Sequence, residues 1–239
     1  MRKSRQIALS IVIGVIAGIG IEKATEKKQH LAKVKGKHIP FGPYEAFFKR
    51  PLDILLAGSA LILLSPIMGI TALLVKINLG SPVLFIQQRP GKNEKIFEIY
   101  KFRTMTDKKD ENGKLLPDEE RLTKFGQLLR STSLDELPEL FNILKGDMSI
   151  VGPRPERPEI AKKYKELIPE FEYRLKVKAG LTGYAQIYGK YNTTPYDKLK
   201  LDLTYIQNYS LLLDIKLMIL TVKVLFMPES TKGIEEGQT

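Results

Sequence analysis

The sequence predicts a mostly helical α/β protein in which an apolar membrane helix is followed by a small cytosolic body containing a β-hairpin and amphipathic interfacial helices. Three observations predict this class. Ile54 to Val75 is a 22-residue run without a charge, long enough to cross a bilayer. Val83-Leu84-Phe85-Ile86 and Lys95 to Tyr100 are short apolar or alternating runs flanking Arg89-Pro90-Gly91-Lys92-Asn93, the pattern of a β-hairpin. Leu211 to Phe226 carries only Asp214, Lys216 and Lys223 on an otherwise apolar stretch, as an amphipathic helix that either covers the core or lies on the membrane does.

Composition narrows the chemistry. The 239 residues carry a net charge of +11 with no cysteine, no tryptophan and two histidines. Thiolate nucleophiles, disulfides and zinc clusters are excluded, and catalysis falls to carboxylates, lysines, arginines or hydroxyls. Eleven basic residues stand against three acidic ones in the first fifty, +8 of the total. The charge is therefore a property of the N-terminal segment around apolar runs, which favours a lipid bilayer over nucleic acid as partner.

Residues 1 to 48 read as an apolar anchor and a basic linker. Ile7 to Ile21 is apolar after Arg2, Lys3 and Arg5, and six lysines follow from Lys23 to Lys37, which places its C-terminal end in the cytoplasm. At fifteen residues it fits an uncleaved anchor, the favoured reading, a signal-peptide core or a short interfacial helix. Gly14 and Gly18 have the G-x-x-x-G spacing through which two such helices could pack into a homodimer.

Residues 49 to 76 form the membrane helix. Ser65-Pro66 falls at its centre, where proline removes a backbone donor and clashes with the preceding turn, so a break is expected. Read alone, the run fits a kinked spanning helix best; the alternative is a helix-break-helix that returns to the side it entered.

Residues 77 to 227 form the globular body, and 228 to 239 a polar tail. After the hairpin, Asp107 to Glu120 is a polar loop, either a linker or a lid. Ser133 and Glu136 have capping-box spacing and Lys145-Gly146 supplies a stop, so a helix is predicted from Leu134 to Lys145 with Leu137, Leu140, Phe141 and Leu144 on its buried face. Asp135 and Glu136 would occupy its first turn, where acidic residues either simply stabilise the helix or belong to a site. Pro153 and Pro155 stiffen the backbone around Arg154, either as a phosphate clamp or as a Pro-rich connection to a helix that begins near Glu159. Gly180, Gly183 and Gly189 suggest a turn-rich binding wall.

Taken in order, Lys49-Arg50-Pro51-Leu52-Asp53, Ser65-Pro66, Tyr100-Lys101-Phe102-Arg103-Thr104-Met105, Leu134-Asp135-Glu136-Leu137-Pro138, Val151-Gly152-Pro153-Arg154-Pro155 and Gly180-Leu181-Thr182-Gly183-Tyr184-Ala185-Gln186 resemble the bacterial sugar transferases. These are monotopic polyprenyl-phosphate phosphoglycosyl transferases, and the resemblance covers Lys49 to Met227. It implies that the Ser65-Pro66 break makes the membrane helix re-entrant, on the cytoplasmic face of the cell membrane. It also implies that Asp135 attacks a UDP-sugar to release UMP, and that undecaprenyl phosphate then accepts the phosphosugar, in exopolysaccharide, capsule or glycoconjugate assembly. Glu136, with Asp135, would hold Mg²⁺. Lys101, Arg130 and Arg154 match basic residues around the phosphates, and Lys190 stands where many members have an arginine. The departure from the family pattern at Gly189 to Pro195 leaves the sugar undefined.

Overall fold

The structure is a computed structural model that describes residues 43–189 and 193–225. The apolar anchor at Ile7 to Ile21, Lys190 and the polar tail lie outside the described residues. A π-helical turn, Tyr44–Phe48, leads into α1, Lys49–Leu79, 31 residues long. At 1.5 Å per residue such a helix measures about 46 Å.

Two faces of α1 meet different surroundings. Ala57, with Ala60, Leu61 and Leu64 partly buried beside it, joins one core cluster. Val75 and Leu79, with Met68 and Ala72, join a second. The opposite face is apolar and bare, with Ile62 and Leu63 at 79% and 78% exposed. By length and composition this helix is long and apolar enough to cross a membrane. Both halves of the helix thus pack on the same globular body.

The predicted break does not interrupt the helix: Ser65 and Pro66 lie inside one element. Pro66 has no N–H to reach the carbonyl of Ile62 one turn back. The Ser65 hydroxyl donates to that carbonyl instead, at 2.8 Å, so the backbone acceptor keeps a partner and the helix continues.

The hairpin forms as predicted. β1, Leu84–Pro90, pairs antiparallel with β2, Ile96–Phe102, in a register from Leu84 opposite Phe102 to Pro90 opposite Ile96. The reversal spans Gly91 to Lys95, where Asn93 and Glu94 adopt positive φ. Alternation along β2 puts Phe97, Ile99 and Lys101 on one face, with Phe97 and Ile99 buried in the first cluster. Residues 107–117 form the expected irregular loop, ending in a single helical turn at Asp118–Arg121. α2, Lys124–Ser131, follows, capped by Thr123, whose side chain accepts from Gly126 N at 3.0 Å.

The next segment departs from expectation. Leu134–Glu136 is a 3₁₀ turn, and α3 begins only at Glu139, ending at Lys145. Ser133 is left-handed with φ 55 and forms no side-chain cap, so the capping box is absent. Its glutamate is engaged elsewhere, as described below. The buried face is Glu139, Leu140, Asn142 and Ile143, whereas Phe141 and Leu144 are exposed. Asn142 takes a place on that face because its amide bonds both Tyr100 N and Glu98 O, at 3.0 and 2.6 Å. Burying the Asn142 amide is offset by these bonds.

β3, Met148–Val151, pairs in parallel with β4, Ala179–Thr182. The connection between them carries α4, Pro158–Leu167, and a 3₁₀ stretch, Pro169–Lys176. Gly180 is therefore a strand residue rather than part of a turn. A Cβ there would stand 2.1 Å from Gly152 N, so the close backbone approach demands glycine. α5, Tyr184–Tyr188, α6, Pro195–Gln207, and α7, Leu211–Leu225, complete the described body. In α7, Asp214 and Leu217 are buried while Leu212, Ile219 and Val222 face outward, the amphipathic division expected.

A buried polar knot ties the entry of α1 to this body. Lys49 Nζ donates to Asp214 Oδ2 at 2.5 Å and to Val151 O at 3.1 Å. Tyr205 and Tyr44 hydroxyls also reach Asp214, at 2.8 and 2.6 Å. Asp53 accepts from Ile150 N and Ser149 Oγ, both at 3.0 Å. The Lys49-to-Asp53 motif thus fixes β3, and with it the segment that follows.

Candidate active site

A cavity of about 870 Å³ opens where β2, the end of α2, the 3₁₀ turn and the segment after β3 converge. Lys101, Arg130, Asp135, Glu136 and Arg154 all line it, so five of the residues singled out in the sequence come together. Lys101 arrives from the inward face of β2, one alternation beyond Ile99. Arg130 comes from the last turn of α2 and its Nε donates to Thr104 Oγ1 at 3.1 Å. Arg154 is held between two prolines directly after β3.

The two adjacent carboxylates have different surroundings. Glu136 is clamped: Arg154 reaches both its oxygens, with Nη1 3.3 Å from Oε2 and a closer contact from Nη2 to Oε1. Lys101 Nζ adds a bond to Oε1 at 2.6 Å. Burial would raise the Glu136 pKa, but the charges of Arg154 and then Lys101 outweigh it and hold the carboxyl at about 2. This is where the sequence-level capping partner went. Two cations are stronger partners for a buried carboxylate than one backbone N–H.

Asp135 is buried, at 8% exposed, and its carboxylate forms no ion pair among the described residues. Burial, then the neighbouring charge of Glu136, pushes it up to about 6 despite Lys101, Arg130 and Arg154 nearby. A carboxylate that is desolvated, unpaired and adjacent to three cations keeps free lone pairs. Such an oxygen can attack an electrophile or bind a hard cation.

Four further residues lie around these and were not apparent from sequence. Glu139 is almost fully buried, and its Oε1 faces Lys101 Nζ at 3.1 Å without a hydrogen-bond partner. Burial raises its pKa to about 7. Its position three residues beyond Glu136 was the available signal. Arg174 donates from Nη2 to Arg154 O at 2.8 Å and pairs with buried Asp202 at 2.6 Å. Arg89 and Arg157 line the same cavity; in the sequence Arg89 read only as part of a turn.

Mg²⁺ prefers oxygen ligands and takes only one or two carboxylates, with water and phosphate completing its shell. Asp135 and Glu136 both supply that donor chemistry, Asp135 with free oxygens and Glu136 with oxygens that Arg154 and Lys101 already engage.

Comparison with known proteins identifies the family. The family model described as Bacterial sugar transferase matches residues 44–228. The uncharacterized sugar transferase EpsL of Bacillus subtilis is 46% identical over 189 residues, covering 79% of this chain and 90% of its own. The UDP-N-acetylgalactosamine-undecaprenyl-phosphate N-acetylgalactosaminephosphotransferase of Aeromonas hydrophila is 40% identical, over 77% of this chain and 44% of its own. The UDP-glucose:undecaprenyl-phosphate glucose-1-phosphate transferase of Escherichia coli is 42% identical, over 77% and 41%. This chain therefore spans less than half the length of the latter two, and what it shares with them is the segment holding Asp135, Glu136 and Arg154. On the match over most of its length, the chain belongs to the bacterial sugar transferase family.

Proposed function

We propose that the protein transfers a sugar 1-phosphate from a UDP-sugar to undecaprenyl phosphate, as the first membrane step in making an exopolysaccharide, capsule or glycoconjugate. The observation that carries this reading is the unpaired, buried Asp135 carboxylate beside Lys101, Arg130 and Arg154. An Asp135 oxygen attacks the β-phosphorus; the new O–P bond forms as the bond to the α-phosphate oxygen breaks, and that electron pair leaves with UMP. An oxygen of undecaprenyl phosphate then attacks the same phosphorus, which returns the carboxylate and forms the lipid diphosphate sugar. Arg130 and the Glu136-bound pair, Lys101 and Arg154, stabilise charge on the phosphate oxygens. Asp135 and Glu136 would hold Mg²⁺, which when bound neutralises phosphate charge. Lys190, outside the described residues, is proposed as a further phosphate contact.

The same reading assigns the protein to the cytoplasmic face of the cell membrane with α1 re-entrant. Support comes from the two ends of α1, both packed on one body that cannot lie on two sides of a bilayer, and from the lysines after the N-terminal apolar run. The test is UMP release from a panel of UDP-sugars by detergent-solubilised protein with Mg²⁺ and undecaprenyl phosphate. Release by the wild type and its loss in Asp135→Asn are expected; full activity in that variant would sink the covalent mechanism.

A further inference from the structure

A side chamber of about 160 Å³ adjoins the main cavity, and Arg89, Lys101, Glu139, Arg154, Glu156 and Arg157 contribute its charged wall. Most of these charges have partners. Lys101 and Arg154 are engaged by Glu136. Glu156 is engaged by Lys198 at 2.7 Å, with Arg174 at 3.6 Å. Glu139 faces Lys101. Arg89 and Arg157 remain, and neither forms an ion pair among the described residues.

Arg89 is the more informative of the two. Its Nη2 donates to the neutral Gln87 Oε1 at 2.7 Å, but its Nε is buried with no acceptor. Buried donors are rarely left unpaired. Burial first, then the nearby Arg157 and Arg154 charges, lower its pKa against the weaker opposing pull of Glu156 and Glu139, so cations crowd here around a donor that has no acceptor. Arg89, Lys101, Arg154 and Arg157 each line both the chamber and the main cavity, so the two spaces form one continuous basic wall.

We propose that Arg89 and Arg157 form a second phosphate-binding subsite, which takes the phosphate group that Asp135 does not attack. The role, though not the binding, rests on the phosphosugar-transfer reading. A guanidinium binds phosphate through parallel charge-assisted hydrogen bonds, and the orphan Arg89 Nε supplies one donor already desolvated. The reaction offers two such groups, the phosphate that leaves with the nucleotide and the phosphate of the acceptor lipid. Both have the same chemistry at this wall.

The experiment uses the full chain in nanodiscs and measures calorimetric binding of UMP, uridine and inorganic phosphate, together with KM for undecaprenyl phosphate. In Arg89→Gln/Arg157→Gln the Kd for UMP is expected to rise about tenfold, a change of about 1.4 kcal/mol, with uridine binding unchanged. A rise of the same size in KM for undecaprenyl phosphate, with UMP unaffected, also supports the subsite and assigns it to the lipid. Changes below about twofold in both overturn it. Thermal melting checks folding; Arg157→Gln alone, at an exposed position, stands in if the double variant melts early, with the same criteria. Arg89-dependent UMP binding without turnover of any UDP-sugar would overturn the proposed function and leave the subsite standing. Turnover with Arg89-independent binding and KM would do the reverse.

Discussion

Arg174 donates to the backbone carbonyl of Arg154 at 2.8 Å while the same guanidinium pairs with Asp202 at 2.6 Å. The stiff Pro153-Arg154-Pro155 segment is therefore held from behind as well as by its own prolines. Arg174 is a positioning residue, and its removal separates two effects. Arg174→Met leaves Asp202 buried and unpaired, which costs about 3–5 kcal/mol and should appear as a large fall in melting temperature. Arg174→Lys keeps a charge for Asp202 but loses the planar fork that serves both acceptors. The expected outcome is a retained fold with kcat lowered about tenfold, about 1.4 kcal/mol of transition-state stabilisation, and KM for the UDP-sugar little changed. An unaltered kcat in a folded Arg174→Lys protein would remove Arg174 from the mechanism.

The Asp135 carboxyl stands at about 6 in the folded protein, above its ordinary 3.8. The folded state thus holds this proton more tightly than the unfolded chain does. The resulting stabilisation is complete below pH 4 and disappears as pH rises through about 6; at pH 8 the ionised, buried carboxylate leaves the fold strained by roughly 3 kcal/mol. Asp135→Asn should accordingly be inactive yet more stable than wild type at pH 8 in EDTA, by up to about 3 kcal/mol. The gain should vanish near pH 4. Denaturant unfolding in detergent at the two pH values reads it, and equal stability at pH 8 contradicts the environment assigned to Asp135.

Local signals were legible where nothing nonlocal competed with them. The hairpin could be read from alternation and a turn, and α1 from its uncharged length. Ser133 and Glu136 show the opposite case: the spacing of a capping box is present, but Arg154, 18 residues on, and Lys101, 35 residues back, claim the glutamate. Ser133 then takes a left-handed conformation, and the predicted helix starts five residues late. The parallel β3 and β4 pairing was hidden for a related reason. Its strands have four residues each, and Gly180 reads as a turn until Gly152 is known to lie against it. The cavity-lining residues Asp135, Glu136 and Arg154 could be singled out because motif and stiffness mark them. Arg174 and Asp202 were not, since a buried charge pair distant in sequence looks like two solvated charges until the fold joins them.

Ser65 Oγ replaces the missing donor of Pro66 at the Ile62 carbonyl, on a face where Ile62 and Leu63 are exposed. In the proposed membrane setting no water reaches that carbonyl. Ser65→Ala should therefore destabilise the helix by about 1–3 kcal/mol. Ser65→Ala/Pro66→Ala restores the ordinary backbone donor and should recover most of the loss. Melting temperatures of the three proteins in lipid nanodiscs test this. Equal melting of Ser65→Ala and wild type would show the hydroxyl to be dispensable.

The packing of both ends of α1 on one body makes a topological prediction, and the absence of native cysteine makes it easy to test. Single cysteines at Ala46 and Asn78, both exposed and flanking the apolar run, give one label each without background. Lys49 is unsuitable because it is buried against Asp214. In a re-entrant arrangement a membrane-impermeant maleimide labels both positions in inverted vesicles and neither in intact spheroplasts. A spanning helix would expose one position in each preparation. In that case the C-terminal half of α1, with Val75 and Leu79, would have to leave the cluster it shares with Phe102 and Leu129, exposing four apolar side chains at about 1.5–3 kcal/mol each. That cost is large compared with the whole stability of a domain this size, and it is the reason the same-side result is expected.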